Sequence, residues 1–398
     1  MRVTATTERW SLLLSAVRSR RLRARAWLTG LVLLTAIAGV AAAPVPGPPE
    51  VKATSWVLQD HHSGQVIAQH AADARVEPAS LTKILTIYVV FAELQAGKIA
   101  LDDQVLISKK AWQMPGSRMF IEVDTRVSVE DLIKGVVIQS GNDASVALAE
   151  HVAGDESAFS DLMNQYANRI GLENSHFVNA SGLPDPEHYT TAQDMARLAS
   201  ALIRDFPERY TVHAQKEFVF NNITQSNRNK LLWQDASVDG LKTGHTEAAG
   251  YCLVVSALRD GMRLVSVLMG ADSERSRARY SSALLAYGFR FFETHKLYGA
   301  GSPVRDVRVW KGERDTVALG LEEDLYVTVP RGQYSGLDPR MEVDAQMQAP
   351  LIKGDVRGKL VVSFDGEVIA QRPLKVLETV DEGSLWRKAS DSVRMWFE

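Results

Sequence analysis

A serine and a lysine three residues apart are the first residues with the means to do chemistry. Ser80 and Lys83 stand at the start of a long apolar run, and positions i and i+3 share one face of a helix. A serine hydroxyl becomes a nucleophile when a base takes its proton, and a neutral lysine can be that base. Lowering a lysine pKa from about 10.4 to near 7 costs roughly 4–5 kcal/mol, which burial can supply.

The run after Lys83 predicts a helix buried on most of its surface and ending near Gly97. The pair alone is also compatible with a helix-capping serine followed by a solvated lysine. Two further polar clusters favour chemistry, and they follow in order: Ser140-Gly141-Asn142 and Lys242-Thr243-Gly244. The first lies between two predicted helices and the second at a strand edge. Each cluster alone is weak evidence for a catalytic site, and the three clusters in this order are strong evidence for one.

Composition bounds the class of protein. The chain has 398 residues, 45% hydrophobic and 23% charged, as expected for a folded protein with one or two domains. An arginine-rich stretch, an apolar stretch of about 15 residues and Ala41-Ala42-Ala43 predict a secretory signal peptide at residues 1–43. The alternative, an uncleaved membrane helix, needs about 20 apolar residues.

Without the signal peptide the net charge falls from −3 to about −9, since seven Arg and one Glu are removed. This acidity argues against a nucleic-acid partner. Cys252 is the single cysteine, so no internal disulfide is possible, and its apolar setting predicts a buried small hydrophobe.

The remaining chain predicts an α+β fold in three parts. Residues 44–298 combine amphipathic helices with strands from both ends of the segment, which indicates helices packed on an antiparallel sheet. Residues 299–381 form short alternating segments that predict a small all-β domain. Residues 382–398 predict an amphipathic helix ending in Trp396-Phe397, which suits a membrane surface with its basic residues toward the headgroups. The alternative is a terminal helix docked on its own β domain.

The ordered set is the grouping found in class A β-lactamases and penicillin-binding proteins. The sequence resembles the low-molecular-mass penicillin-binding proteins that are serine-type D-alanyl-D-alanine carboxypeptidases, of the penicillin-binding protein 5 and 6 type in peptidase family S11. The resemblance covers nearly all of the mature chain, including Asn227-Arg228-Asn229, Asp239 to Thr246 and Val329-Pro330-Arg331-Gly332. Gly141 replaces the Asp of the β-lactamase motif. The resemblance implies a β-lactamase/transpeptidase-like domain, the β domain as a stalk, and the tail helix as a membrane anchor.

The resemblance also implies residue roles. Ser80 would attack the penultimate D-Ala carbonyl, Lys83 would be the general base, and Ser140 would bridge between Lys83 and the leaving amine. Asn142 would hold Lys83 and the substrate amide. Lys242 would favour neutral Lys83 and attract the substrate carboxylate, which Thr243 would bind beside Gly244. The N–H groups of Ser80 and His245 would form the oxyanion hole. Arg228 is a candidate for organising the site near Lys242, and Arg277 for binding the terminal carboxylate.

Other interpretations of single residues are less favoured. His245 invites a Ser-His-Asp triad, but no acidic partner pattern accompanies it. Asp143 is interpreted as a helix cap. No His, Cys or Asp cluster has metal-ligand spacing, so neither metal nor cofactor is predicted.

The function expected from this set is removal of the terminal D-alanine from peptidoglycan pentapeptides at the periplasmic face of the bacterial inner membrane, with β-lactams as inhibitors that acylate Ser80. Two alternatives are a β-lactamase on the same fold and a non-catalytic peptidoglycan-binding protein. Rapid penicillin turnover would indicate the first, and pentapeptide binding without acylation the second.

Overall fold

A computed structural model describes residues 45–396. The predicted signal peptide at residues 1–43 and the side chain of Phe397 lie outside this part. The elements before the β domain, in chain order, are β1 (Ser55–Asp60), β2 (Val66–His70), α1 (Thr82–Gln95), β3 (Gln104–Leu106), α2 (Lys109–Trp112), β4 (Arg126–Ser128), α3 (Val129–Lys134), α4 (Asn142–Ala153), α5 (Glu156–Ile170), α6 (Ala192–Asp205), α7 (Pro207–Tyr210), β5 (Glu217–Phe220), β6 (Ile223–Ser226), α8 (Leu231–Gln234), β7 (Val238–Thr246), β8 (Gly250–Arg259), β9 (Met262–Ala271) and α9 (Glu274–Phe291).

A five-stranded antiparallel sheet organises this first part, in the order β2-β1-β9-β8-β7. The sheet therefore joins strands from both ends of the segment, as predicted, and β7 is one of its edges. Turn residues explain the hairpins: Asp260 and Gly261 link β8 to β9 with positive φ angles of 48° and 82°.

Both faces of the sheet are covered. Val57 and Val265 pack into the main core with α1 and α6, while Gly288 of α9 approaches Leu58 and Leu264 on the other face. Helix α1 is buried along almost its whole length, which explains the nearly unbroken apolar run that encodes it. It carries Lys83 into the interior and fixes the position of that side chain.

The β domain follows α9 without a break. Its elements are β10 (Phe292–Tyr298), β11 (Pro303–Trp310), β12 (Thr316–Gly320), β13 (Leu325–Pro330), β14 (Leu337–Val343), β15 (Met347–Gln348), β16 (Val356–Phe364) and β17 (Glu367–Val376). Six of them form a sheet in the order β14-β16-β17-β12-β11-β15, and β10 pairs with β13. Helix α9 begins at Glu274, and the chain passes directly from its last residue, Phe291, into the first strand of the β domain at Phe292.

A buried polar cluster joins the two parts. Asp60, at the end of β1, accepts hydrogen bonds from the Ser63 hydroxyl (2.9 Å) and the Thr294 hydroxyl (2.7 Å). The Thr328 hydroxyl lies 2.7 Å from that of Ser63 and 2.9 Å from that of Thr294. Because Asp60 is fully buried, these hydroxyls satisfy a carboxylate that would otherwise be costly to bury.

The tail forms α10 (Leu385–Arg394), capped by Ser384. Asp391 accepts a hydrogen bond from the Lys311 backbone N–H, and Arg387 and Lys388 pair with Asp315 and Glu382. The polar face therefore contacts the β domain, and the expectation that the basic residues point toward headgroups is wrong for Arg387 and Lys388. The apolar side chains are exposed, namely Leu385, Trp386, Val393 and Trp396. Among residues 45–396, none of the helices is long and apolar enough to cross a membrane.

Candidate active site

The nucleophile lies in a short 3₁₀ turn, Ala79–Leu81, that leads directly into α1. Ala79 has a φ of 47°, a left-handed conformation that costs a non-glycine residue about 1–2 kcal/mol. The turn is held from outside: a Cβ on Gly182 would lie 1.8 Å from the Ala79 carbonyl oxygen, so only glycine fits there. Ser80 itself is half-buried and faces the cleft.

Lys83 is surrounded by three polar groups. Its Nζ lies 3.2 Å from Ser80 Oγ, 2.7 Å from Asn142 Oδ1 and 2.5 Å from the backbone oxygen of Ser181. The side chain is 1% exposed. The predicted encounter of Ser80 with Lys83 is therefore present, and so is the predicted contact between Asn142 and Lys83.

The electrostatics of the site favour a neutral Lys83. Burial, assisted by the nearby Arg228 guanidinium, lowers the pKa of Lys83 to about 7, while Asp143 acts in the opposite direction. A lysine with such a pKa is largely uncharged just above neutrality and can accept a proton. The solvated-lysine alternative is wrong for this residue.

The second cluster sits where one helix breaks and another begins. A π-helical turn, Gly135–Gln139, ends at Ser140, whose φ of 67° is left-handed, and α4 starts at Asn142. Gly141 is required between them, because a Cβ there would lie 2.7 Å from Asp143 Oδ1. Asn142 donates through Nδ2 to the Pro115 oxygen at 2.6 Å, which orients its amide oxygen toward Lys83.

Asp143 has a different role from the predicted helix cap. The N-cap of α4 is Gly141, and the buried carboxylate of Asp143 accepts backbone N–H groups of the loop 115–121, from Met119 (3.0 Å) and Phe120 (3.0 Å), as well as from Ala144. Asp143 thus ties the loop to the start of α4. Its pKa is raised by burial, although these N–H groups oppose the effect.

The third cluster comes from the edge strand β7. Lys242 Nζ donates to Ser140 Oγ at 2.8 Å and to the Thr243 oxygen at 3.0 Å. Among the described residues the Ser140 hydroxyl bonds with Lys242 and has no bond to Lys83, and its expected place at the leaving amine stays a prediction. Burial lowers the pKa of Lys242 well below its usual value, and Lys83, Arg228 and Arg277 add to the effect.

Strand β7 runs close beside the nucleophile turn. A Cβ on Gly244 would lie 3.2 Å from the Pro78 oxygen and 3.3 Å from the Leu81 nitrogen, so glycine permits this approach. The approach brings Ser80 and His245 to the lining of one cleft of about 390 Å³. The other residues that line it are Ser117, Ser140, Ser226, Asn227, Arg228, Lys230, Thr243, Gly244, Tyr251, Glu274 and Arg277.

Both candidate arginines reach the cleft. Arg277, in the first turn of α9, is buried, donates to the Gly244 oxygen at 3.1 Å and lies over the Tyr251 ring. Arg228 is placed by its neighbours: Asn227 donates to the Gln215 oxygen, and Asn229 donates to the Gly240 oxygen on β7. Burial lowers the pKa of both arginines. The cleft therefore collects positive charge, which suits a carboxylate ligand.

The surroundings of His245 and Cys252 show what these two potentially reactive side chains contact. His245 is exposed and stacks on Tyr251 with ring centroids 4.1 Å apart. Cys252 is fully buried, and burial raises the pKa of its thiol to about 11, as expected of an inert core residue. Over residues 45–396, no group of three or more His, Cys, Asp or Glu is positioned to hold a metal ion.

Sequence reasoning missed the segment 178–190. Ser181 contributes the backbone oxygen that contacts Lys83, and His188 contacts the Thr82 hydroxyl beside the nucleophile at 2.8 Å. These contacts join residues about a hundred positions apart, and a backbone oxygen has no side-chain signature. In the sequence, Gly182 marks this segment as structurally constrained. The structure gives the cause, since a side chain at Gly182 would collide with the Ala79 carbonyl oxygen.

The arrangement can transfer an acyl group to Ser80. It combines a serine, a buried lysine of lowered pKa, a second serine bonded to a second lysine, and a cationic cleft. These are the catalytic groups of a serine enzyme that uses a lysine as its base and acts on substrates with a carboxylate.

Comparison with known proteins gives the family. Residues 42–273 match the D-alanyl-D-alanine carboxypeptidase family, and residues 292–382 match the penicillin-binding protein 5, C-terminal domain family. The chain belongs to the D-alanyl-D-alanine carboxypeptidase family, peptidase family S11, and it carries that C-terminal domain. The family and the fold class expected from the sequence are confirmed.

The chain is similar to D-alanyl-D-alanine carboxypeptidase DacC of Escherichia coli strain K12, with 46% identity over 387 residues, 95% of this chain and 97% of that protein. It is similar to the crystal structure of penicillin binding protein 5 from Haemophilus influenzae, with a TM-score of 0.82 and 45% identity over 85% of this chain and 100% of that chain. It also resembles penicillin-binding protein D2 from Listeria monocytogenes in the ampicillin-bound form, with a TM-score of 0.56 and 27% identity over 61% of this chain and 100% of that chain.

Proposed function

We propose that this chain removes the terminal D-alanine from peptidoglycan pentapeptides through an acyl-enzyme on Ser80, at the outer face of the bacterial inner membrane. The substrate class follows from membership of the carboxypeptidase family. The geometry of the cleft supports the residue roles, and the tail helix and the predicted signal peptide support the location.

One observation carries the mechanism, namely the set of partners around Lys83. The Asn142 amide oxygen and the Ser181 backbone oxygen can only accept hydrogen bonds, whereas the Ser80 hydroxyl can donate. A neutral amine has two N–H groups and one lone pair. Two N–H groups for two acceptors leave the lone pair directed at the Ser80 hydroxyl proton. The neutral form is thus fully satisfied and aimed at the nucleophile.

Acylation then proceeds in two proton transfers. Ser80 Oγ attacks the carbonyl carbon of the penultimate D-Ala while Lys83 Nζ takes the hydroxyl proton. The oxyanion is bound by the backbone N–H groups of Ser80 and His245 on facing sides of the cleft, a contribution worth about 3–4 kcal/mol per donor in comparable sites. Collapse of the intermediate breaks the C–N bond and leaves an ester on Ser80.

The departing D-Ala needs a proton on its nitrogen. The Ser140 hydroxyl accepts from Lys242 at 2.8 Å, so its own proton is available to the leaving amine and is replaced from Lys242. A lowered pKa makes the Lys242 ammonium a better proton donor. Lys83 passes the proton it gained to solvent and Lys242 regains one from solvent, so both lysines return to their starting states. Neutral Lys83 then takes a proton from the water that attacks the ester and delivers that proton to Ser80 Oγ as the ester C–O bond breaks, which releases the shortened peptide and regenerates the Ser80 hydroxyl.

The cationic groups of the cleft bind the terminal carboxylate of the substrate. Arg277 and Lys242 are buried, and Thr243, next to Lys242 on β7, lines the cleft as Arg277 does. A carboxylate bound here offsets the cost of holding several cations together in a partly desolvated space. The same site explains β-lactam inhibition: a lactam amide acylates Ser80, and its nitrogen stays tethered to the acyl group after the ring opens.

Export and membrane attachment complete the proposal. The segment 1–43 serves as a secretory signal peptide, and α10 holds the enzyme on the membrane through its exposed apolar side chains. A helix of ten residues that carries Trp386 and is followed by Trp396 suits the interface of a bilayer and is too short to span it.

The test is D-Ala release from a diacyl-Lys-D-Ala-D-Ala peptide by the purified protein lacking residues 1–43, with a fluorescent penicillin in a parallel reaction. We expect D-Ala release, persistent labelling of Ser80, and loss of both in Ser80→Ala. Exposed Ser384→Ala is the matched control and should keep both activities.

Other outcomes overturn parts of the proposal. Labelling without D-Ala release would indicate a peptidoglycan-binding protein with a retained acylation site. Labelling that is lost rapidly, with steady hydrolysis of penicillin, would indicate a β-lactamase. Labelling and release that both survive in Ser80→Ala would refute the mechanism.

A further inference from the structure

His188 is a buried imidazole next to the catalytic machinery that the mechanism above does not use. It is 2% exposed and lies in the segment 178–190, whose Ser181 oxygen contacts Lys83. Its ring packs edge-on against Phe177, with centroids 5.5 Å apart. Both ring nitrogens have partners, so the imidazole is held on two sides.

The partners define the tautomer. Nδ1 accepts from the Val178 backbone N–H at 3.1 Å, so the ring proton is on Nε2. Nε2 lies 2.8 Å from Thr82 Oγ1, and Thr82 Oγ1 donates to the Ala79 oxygen at 2.8 Å. Because the Thr82 proton is committed to Ala79, Nε2–H must donate to Thr82. The result is one directed chain from Val178 through His188 and Thr82 to Ala79.

This chain connects the two halves of the catalytic pair. At one end, Ala79 and Thr82 flank Ser80, and Ala79 is in the left-handed conformation that the chain helps to maintain. At the other end, Val178 begins the segment that presents the Ser181 oxygen to Lys83. The distance between nucleophile and base therefore depends on how these two segments are held together.

The environment keeps the imidazole in this form. Burial lowers the pKa of His188 to about 4; Asp185 opposes this effect, and the neighbouring His176 and Lys83 add to it. A neutral ring with a fixed tautomer persists across the physiological range, so the chain of hydrogen bonds keeps its direction.

We propose that His188 is a positioning residue of the carboxypeptidase reaction, which sets the placement of Ser80 relative to Lys83 by bonding Thr82 and Val178 at once. The proposal rests on the proposed function. A positioning role predicts a loss in the chemical step with little effect on substrate binding, since His188 is absent from the lining of the cleft.

The experiment compares three variants of the purified protein. His188→Leu keeps the volume but removes both hydrogen bonds. His188→Gln offers an amide oxygen and an amide nitrogen about as far apart as the two ring nitrogens, so it can accept from Val178 and donate to Thr82. His176→Gln is the control, because His176 lies just before the same segment, is half-buried, and bonds the Glu187 oxygen through Nδ1, away from the nucleophile.

The expected result is a selective loss of kcat. His188→Leu should lower kcat for D-Ala release about 10- to 100-fold with KM within about twofold, and it should slow penicillin acylation by a similar factor. His188→Gln should recover most of both rates, and His176→Gln should match the unmodified protein. Thermal unfolding identifies any variant that fails to fold.

A second pair of variants keeps the proposal testable if His188→Leu is unstable. Thr82→Val removes the hydroxyl in the middle of the chain and should slow penicillin acylation about 10- to 100-fold, whereas Thr82→Ser keeps that hydroxyl and should react like the unmodified protein. A folded His188→Leu with unchanged kcat, or Gln and Leu variants that lose kcat equally, would overturn the proposal. Penicillin acylation reports the positioning even if D-Ala release is absent, so failure of the proposed function and failure of this inference are distinguishable.

Discussion

The catalytic cleft and the tail helix are opposite exceptions to the rule that charged residues lie on the surface and large apolar residues in the interior. The cleft buries charged side chains: Lys83 is 1% exposed and Lys242 is 4% exposed. The tail exposes aromatic ones: Trp386 is 88% exposed and Trp396 is 91% exposed. Lysine is almost never fully buried without a partner, and large exposed apolar groups clustered on one helix mark an interaction surface.

The difference lies in where each region finds its partners. The polar groups of the cleft are satisfied within the chain, since Lys83 bonds Asn142 and Ser181, and Lys242 bonds Ser140. The apolar side chains of the tail remain exposed, because it is the polar face of α10 that meets the β domain. The first region buries charge that tunes the proposed chemistry, and the second exposes the apolar surface that we propose binds a membrane.

The largest effect is expected from removing the base. Lys83→Met keeps most of the buried volume but supplies no proton acceptor, so acylation of Ser80 should fall about 10²- to 10⁴-fold. The measurement is the rate of labelling by a fluorescent penicillin. Exposed Lys52→Met is the control and should label normally. Normal labelling of Lys83→Met would mean that another group takes the Ser80 proton.

The next effect concerns the tail. The double variant Trp386→Ser/Trp396→Ser should lower the affinity for vesicles containing anionic lipid roughly 100-fold, because partial burial of two aromatic side chains is worth about 2–3 kcal/mol. D-Ala release should not change. Val356→Ser/Val368→Ser removes exposed apolar groups of the β domain and should bind as before. Equal loss in both double variants would contradict a specific role for α10.

A smaller effect should separate burial from charge in the tuning of Lys83. Arg228 lowers the pKa of Lys83, so Arg228→Gln should raise that pKa and move the pH profile of acylation toward alkaline pH. At a pH below the pKa, the neutral fraction of the lysine falls about tenfold when its pKa rises by one. Arg279→Gln, which changes an exposed arginine of α9, should leave the profile in place. An unchanged profile in Arg228→Gln would assign the tuning to burial alone.

The smallest effect concerns buried histidines that serve the fold. Burial lowers the pKa of His61 to about 3 and those of His188 and His213 to about 4. Between these values and 6.5 the unfolded chain binds more protons than the folded one, so the free energy of unfolding should fall as pH drops from about 6.5 to 4. Thermal unfolding against pH measures this slope.

His213→Gln should flatten the acid slope, and the Trp386→Ser/Trp396→Ser protein should keep it, since the exposed aromatics do not titrate. A slope that is unaffected by His213→Gln would mean that other groups dominate acid unfolding. A comparison of the two variants shows whether buried ionisable groups and exposed apolar groups affect the pH dependence of stability independently.

The sequence predicted those parts of the site that local spacing determines. Ser80 and Lys83 share a helix face, Ser140 and Asn142 sit at a helix break, and Lys242 lies on an edge strand, as expected. What it could not predict depends on tertiary contact. The bond from Lys242 to Ser140, the Ser181 oxygen at Lys83 and the link from His188 to Thr82 join segments about a hundred residues apart.

Two local errors have a similar cause. Asp143 begins a helix, which favours capping, but the nearby loop offers its carboxylate several N–H groups of Met119 and Phe120, and these compete successfully. Arg387 and Lys388 lie on the polar face of an amphipathic helix, and acidic residues in and beside the β domain bind them. In both cases the side chain found partners that its own segment does not reveal.

The most direct test of the account is the pH dependence of Ser80 acylation by a fluorescent penicillin, measured on the folded protein between about pH 5.5 and 9. If burial keeps Lys83 ready to accept a proton, the acylation rate rises with pH through about 7 and then levels off, as its pKa of about 7 requires. A rate that is flat or falls across this range, in a protein that stays folded throughout, would contradict a neutral Lys83 as the base.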